Sequence, residues 1–118
     1  MLRSQNCWLP AACITEVHNV VDVAIILRIV TFFGSKFAVR SGGLNPNPGF
    51  GSIDGSGVLI DVGNMNALQI SADHKSVIVG PGARWGEVYN YLDPYGVSAI
   101  GGRSPVPAVS GFLTGGGT

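Results

Sequence analysis

Eight residues, Lys36-Phe37-Ala38-Val39-Arg40-Ser41-Gly42-Gly43, run from a short strand-like stretch into a glycine turn. A strand entering such a turn points several backbone N–H groups the same way. That concavity suits an anion, phosphate above all. The stretch is not a G-x-G-x-x-G fingerprint and lacks the Lys-Ser/Thr of a P-loop. The residues alone therefore leave two readings open, a phosphate-type site or an ordinary turn. A second glycine-rich stretch, Val109-Ser110-Gly111-Phe112-Leu113-Thr114-Gly115-Gly116-Gly117, could face the first or be a flexible tail. Two such walls joined by strands suit a long, thin ligand carrying a pyrophosphate. The chain shows no Ser/His/Asp set, no carboxylate pair and no metal cluster, so no catalytic or metal-ligating residue is assigned. His18 and His74 stand alone and read as surface residues, while Tyr89, Tyr91 and Tyr95 read as packing groups. Any redox chemistry must then come from a cofactor.

The elements that must place these turns follow from local pattern. Residues 12–15 predict a short first strand. Asn19 is placed to cap a helix over residues 20–33, with Asp22 near its positive end. That helix is apolar nearly all round, which predicts packing on more than one side. Residues 36–40 predict a second strand, parallel to the first and beside it in a βαβ unit. Residues 41–57 form a loop of turn residues, long enough to suggest a functional segment. Residues 58–62 predict another strand, and residues 67–79 a hairpin around Asp73-His74-Lys75. Residues 84–92 have helical spacing, with Trp85, Val88, Tyr89 and Leu92 on one face. Residues 97–100 predict a last strand, and residues 101–118 irregular chain.

Composition narrows the partners. The 118 residues carry seven basic and seven acidic side chains, so nothing favours nucleic acid or an anionic membrane. The charged share is 12%, about half the usual fraction. A surface so poor in charge suits a chain that rests against something else. Eighteen glycines lie in clusters between apolar runs, unlike a disordered linker. Cys7 and Cys13 could pair but make no framework. Residues 1–10 lack the long apolar stretch of a signal peptide. The apolar run at residues 20–33 is interrupted by Asp22 and Arg28 and is too short to cross a bilayer. Localisation stays open.

The string Lys-Phe-Ala-Val-Arg-Ser-Gly-Gly at residues 36–43 resembles the FAD-binding signature of the fungal FAD-linked oxidases, relatives of berberine bridge enzyme. Pro10-Ala11-Ala12-Cys13-Ile14, Ser52-Ile53-Asp54-Gly55, Val58-Leu59-Ile60-Asp61, Val79-Gly80-Pro81-Gly82-Ala83-Arg84-Trp85-Gly86 and Gly101-Gly102-Arg103 are similar to that family's succession, closed by the stretch at residues 109–117. The resemblance implies an α/β (α+β) fold: a PCMH-type FAD-binding domain. It would comprise a small βαβ subdomain plus the start of a second, more antiparallel one, truncated. Residues 1–9 would be a tail and residues 10–118 the partial domain. It further implies that FAD is held by Arg40, Ser41, Gly42, Gly43, Leu44 and Asn45, with the pyrophosphate on the turn at 41–45. Ser110, Gly111, Thr114 and Gly116 would lie along the cofactor.

Four departures accompany the resemblance. Many members carry a flavin-bonded histidine where Leu44 stands. Bicovalent members carry a cysteine where Ser104 falls. The segments that bring the substrate and the base are absent, and Gly55-Ser56-Gly57 holds one extra residue. The resemblance thus implies a non-covalent FAD region of an oxidoreductase that passes electrons from sugars, alcohols or secondary metabolites to oxygen. The alternative is a truncated, inactive fragment or partial binding module. Its partners are FAD and, only with the missing domain, a small-molecule substrate.

Overall fold

In the computed structural model the described residues are 9–117. Cys7 and all but the last residue of the expected N-terminal tail lie outside them. The elements run β1 (Cys13–Glu16), α1 (Val20–Phe32), β2 (Lys36–Arg40), β3 (Gly57–Asp61), β4 (Leu68–Ile70), β5 (Val77–Val79), α2 (Trp85–Leu92) and α3 (Val109–Thr114), with a 3-10 turn at Asp93–Tyr95.

The first sheet has three parallel strands in the order β1-β3-β2. The strand at 36–40 is therefore not beside the first strand, as the sequence pattern suggested; β3 lies between them. The reason is burial. Gly57, Leu59 and Ile60 of β3 are buried, whereas β1 and β2 are largely exposed. A strand shielded on both faces belongs in the middle of a parallel sheet. Its register pairs Ile14 and Ala38 with Leu59, and Glu16 and Arg40 with Asp61. Side chains alternate across a sheet, and Val23, Ile26 and Leu27 of α1 pack on Val17, Ile60 and Val62.

The N-terminus of α1 is fixed as its sequence predicts. Asn19 Oδ1 accepts from the Asp22 amide at 2.9 Å, and Asp22 Oδ2 accepts from the His18 amide at 3.0 Å. Such a cap is worth about 1 kcal/mol. The expectation of burial on several sides does not hold. Only Val30 of α1 is buried, while Val20, Val21, Ile25, Ile29 and Phe32 are exposed. The helix has one sheet to cover, and that uses one face.

The second unit is the antiparallel pair β4-β5, with α2 laid across it. Trp85, Val88 and Leu92 of α2 are buried with Val109, against Leu68, Ile70, Val77 and Val79. Truncating Leu92 to alanine in such a core costs roughly 2–5 kcal/mol. Residues 97–100 are not a strand: they form no ladder, and Ile100 is fully exposed. A strand exists only where a partner takes its backbone groups, and none runs beside this segment. The expected irregular chain at 101–118 contains α3 instead. Its approach, residues 105–109, is strapped to the start of α2 by Trp85 N to Pro107 O (3.1 Å), Gly86 N to Pro105 O (3.1 Å) and Val109 N to Ala83 O (2.9 Å).

Candidate FAD site

The cleft lies where β2 and β3 end, the edge at which open α/β sheets receive ligands. Arg40 and Asp61 close that end of the sheet. Nε and Nη2 of Arg40 donate to Asp61 Oδ2 at 3.1 and 2.7 Å, and Asp61 Oδ1 accepts from the Gly63 amide at 2.8 Å. The guanidinium thus braces the two strands from the cleft wall.

Beyond Arg40 the chain turns through Ser41 to Asn45, with Gly43 at φ +62°. A left-handed residue in a turn directs neighbouring N–H groups to one side. Among the described residues, no acceptor takes a hydrogen bond from the amides of Ser41, Gly42, Gly43, Leu44 or Asn45. Residues 41–44 are half-buried and Asn45 is exposed, so these five amides are left to solvent or to a ligand in the cleft.

The facing wall is α3 with Pro107 and Ala108. The two walls touch at Gly42, where a Cβ would fall 2.9 Å from the Ala108 Cβ. They enclose a cleft of about 470 Å³ lined by Arg40, Ser41, Gly42, Gly43, Leu44, Asn45, Gly111 and Thr114 together with Val39, Phe50, Gly51, Pro107, Ala108, Phe112 and Gly115. That volume falls within the roughly 300–1,000 Å³ of small-molecule sites. A Cβ at Gly111 would meet nothing within 4 Å, so the absent side chain leaves open space on the cleft wall. The amide row, the tight Gly42–Ala108 contact and the open Gly111 wall fit a narrow ligand with an anionic middle.

Two predicted site residues sit elsewhere. Ser110 turns away, its hydroxyl donating to the Pro81 carbonyl at 2.6 Å, and it lines a second, more apolar depression beside Trp85. Gly116 lies beyond the helix and does not line the cleft. Sequence reasoning did not pick out Phe50, Pro107 and Ala108. The Gly42–Ala108 contact brings part of that wall in, and contact across 66 positions leaves no local pattern. Ser104 is exposed in a neighbouring depression that shares Pro107 and Phe112 with the cleft.

Among the described residues, Arg40 is the one titratable side chain on the cleft wall. The two carboxyls held below their ordinary range, Asp54 by the Ser56 hydroxyl and amide and Asp73 by the Ser71 hydroxyl and Lys75 amide, lie in turns outside it. Tyr89 donates to the Gly102 carbonyl at 2.7 Å and Tyr91 accepts from the Ile70 amide, which makes both packing groups. Among the described residues no three His, Cys, Asp or Glu side chains gather as a metal set, and no helix is long and apolar enough to cross a membrane.

A parallel α/β unit joined to an antiparallel one is the architecture of a PCMH-type FAD-binding domain. The chain belongs to the FAD binding domain family, which it matches over residues 11–118, and its cofactor is FAD. It is 45% identical over 114 residues to the FAD-dependent monooxygenase yanF of Aspergillus niger, and 45% identical over 112 residues to the FAD-dependent monooxygenase macF of Penicillium terrestre. These alignments cover 97% and 95% of this chain but 20% and 22% of the relatives, so the chain spans about a fifth of their length. Among solved structures it superposes on 6-hydroxy-D-nicotine oxidase from Arthrobacter nicotinovorans with a TM-score of 0.78 at 26% identity, over 91% of this chain and 25% of that one. It superposes on aclacinomycin oxidoreductase with a TM-score of 0.76 at 30% identity, over 88% and 21%. The fold also matches a berberine-bridge-enzyme-like protein of Arabidopsis thaliana, with a TM-score of 0.62 at 22% identity over 70% of this chain and 17% of that one.

Proposed function

We propose that residues 10–118 are the part of a PCMH-type domain that grips the FAD pyrophosphate, and that they do so without a covalent bond. The observation that carries this is the row of amides at 41–45 with no protein acceptor, opening into the cleft opposite α3. Anions bind backbone N–H groups held in such a concavity without needing a charged side chain. Arg40, on the cleft wall, braces β2 against β3 at the start of the turn. Gly111 and Thr114 border the path along α3.

In a longer protein this part would serve an oxygen-using oxidoreductase acting on alcohols, sugars or secondary metabolites, as its resemblance to fungal FAD-linked oxidases implies. Bound FAD supplies the hydride acceptor that no side chain here provides. A second reading, a binding module that does no chemistry by itself, is favoured by the cleft wall, which among the described residues carries no acid or base besides Arg40. That reading concerns turnover alone and leaves the FAD site unchanged.

The test is FAD titration followed by flavin fluorescence. Gly111→Phe places a ring where the wall is open, so it should fold as the parent does and lose FAD affinity at least tenfold. Unchanged affinity in a folded Gly111→Phe chain would show that FAD does not occupy this cleft.

A further inference from the structure

The turn at Gly80-Pro81-Gly82 touches both walls of the cleft. Ser41 Oγ donates to the Pro81 carbonyl at 2.6 Å, and Ser110 Oγ donates to the same oxygen at 2.6 Å. The serines lie 40 and 29 positions from Pro81, on either side of it. One belongs to the amide turn and the other to the first turn of α3.

The carbonyl is available because of how the turn is built. Gly80 to Ala83 is a β-turn closed by Ala83 N to Gly80 O at 3.1 Å. Proline at its second position fixes φ, and the middle peptide of such a turn points its carbonyl outward with no turn hydrogen bond to make. The turn cannot slide. A Cβ at Gly80 would lie 2.2 Å from the Met65 carbonyl oxygen, and one at Gly82 would lie 2.4 Å from the carbonyl oxygens of Val62 and Gly63. Gly80 N and Gly82 N also donate to Ala67 O and Met65 O, at 2.8 and 2.9 Å. The Pro81 oxygen is thus a fixed post, and a carbonyl oxygen has two lone pairs for two donors.

The geometry points to a clasp in which Pro81 ties Ser41 and Ser110 together, sets the spacing of the two walls and so positions the amide row for FAD. The idea rests on the FAD reading of the cleft. It has a chemical consequence. Each hydroxyl has one proton, already given to Pro81, so toward a ligand both serines act only as acceptors. They add nothing to the grip on a phosphate, which falls to the amides. Ser41 and Ser110 are positioning residues that act through preorganisation.

A double-mutant cycle of Ser41→Ala and Ser110→Ala tests this in the full chain, by thermal unfolding without FAD and by FAD titration. If the clasp is one unit, either single change lowers the unfolding midpoint by about 5 °C, as loss of a half-buried hydrogen bond of about 1 kcal/mol does in a chain of this size. Either weakens FAD by about five- to tenfold, and the double variant is no worse than the weaker single one. Ser110→Thr, which keeps the hydroxyl, should stay near the parent in both measurements. Effects that multiply in both measurements, or alanine variants identical to the parent, overturn the clasp. A parent chain that binds no FAD while the unfolding cycle still shows coupling would instead overturn the FAD reading and leave the clasp standing.

Discussion

Leucine at position 44 lines the cleft within the amide turn, and its side chain has no nucleophilic atom. FAD bound here should therefore leave on acid or heat denaturation. A denaturing gel of FAD-loaded chain should show no fluorescent protein band; a band that persists contradicts non-covalent binding. Leu44→His alone should give the same dark lane, because a bond to the flavin also needs the ring held against the imidazole. Two residues away, Gly42 is fixed by contact rather than by backbone shape. Its missing Cβ would sit 2.9 Å from the Ala108 Cβ and 3.1 Å from the Ala108 nitrogen. Gly42→Ala should cost about 1–3 kcal/mol, the usual penalty of overpacking. Adding Ala108→Gly should recover part of it, since it removes the first clash and not the second. Chemical denaturation of the three variants measures both effects, and a Gly42→Ala chain as stable as its parent would mean the walls stand further apart.

At the scale of elements, the hairpin turn carries its own electrostatic device. Asp73 accepts from the Ser71 hydroxyl at 2.6 Å and from the Lys75 amide at 3.2 Å, while His74 adopts a left-handed φ of 56°. These bonds favour the ionised carboxylate and hold its pKa below the ordinary value of about 3.9. Because the folded value is depressed, the contribution is present above the unfolded pKa and is lost as pH falls through the folded one. Ser71→Ala removes the largest cause, so the Asp73 titration should move up toward its ordinary value. Carboxyl NMR reads this directly, and an unmoved titration would mean the hydroxyl does not hold the carboxylate. The hairpin, α1 with its Asn19 cap and the apolar face of α2 were all legible in the sequence, since each depends on residues within a turn or two of one another. The order β1-β3-β2 was not, because which strand takes the centre depends on burial summed over the sheet. The segment at 97–100 looked like a strand by composition, yet strand residues without a neighbour make none. At the site, the glycine turn and the glycine-rich stretch at 109–117 were readable, and the opposing Ala108 was not. Nothing local in the sequence says which small residue Gly42 must meet.

The whole molecule is thin. Its extents are 47 × 31 × 19 Å, and its radius of gyration is 15.5 Å against about 13.5 Å for a compact chain of this length. One helix on one sheet and one helix on one hairpin leave broad apolar surface in water. Along α1, Val20, Val21, Ile25, Ile29 and Phe32 are exposed, with Phe33 just after them, and Ile14, Phe37 and Val39 are exposed on the sheet. Contiguous apolar patches of more than a few hundred Å² are uncommon on proteins that stay monomeric. With no net charge and few charged side chains, little long-range repulsion opposes association. The chain by itself should therefore self-associate at micromolar concentration. Phe32 and Phe33, 84% and 73% exposed and stacked edge to face, are the residues to change. Phe32→Lys with Phe33→Glu leaves the net charge unaltered, so any gain in solubility reports lost apolar contact rather than added repulsion. Both residues lie at the C-terminal end of α1, outside the cleft lining, and FAD affinity should not move. Sedimentation velocity should show the parent as oligomers and the double variant shifted toward monomer. A parent that sediments as a monomer at 100-fold higher concentration would show that this face is tolerated in water.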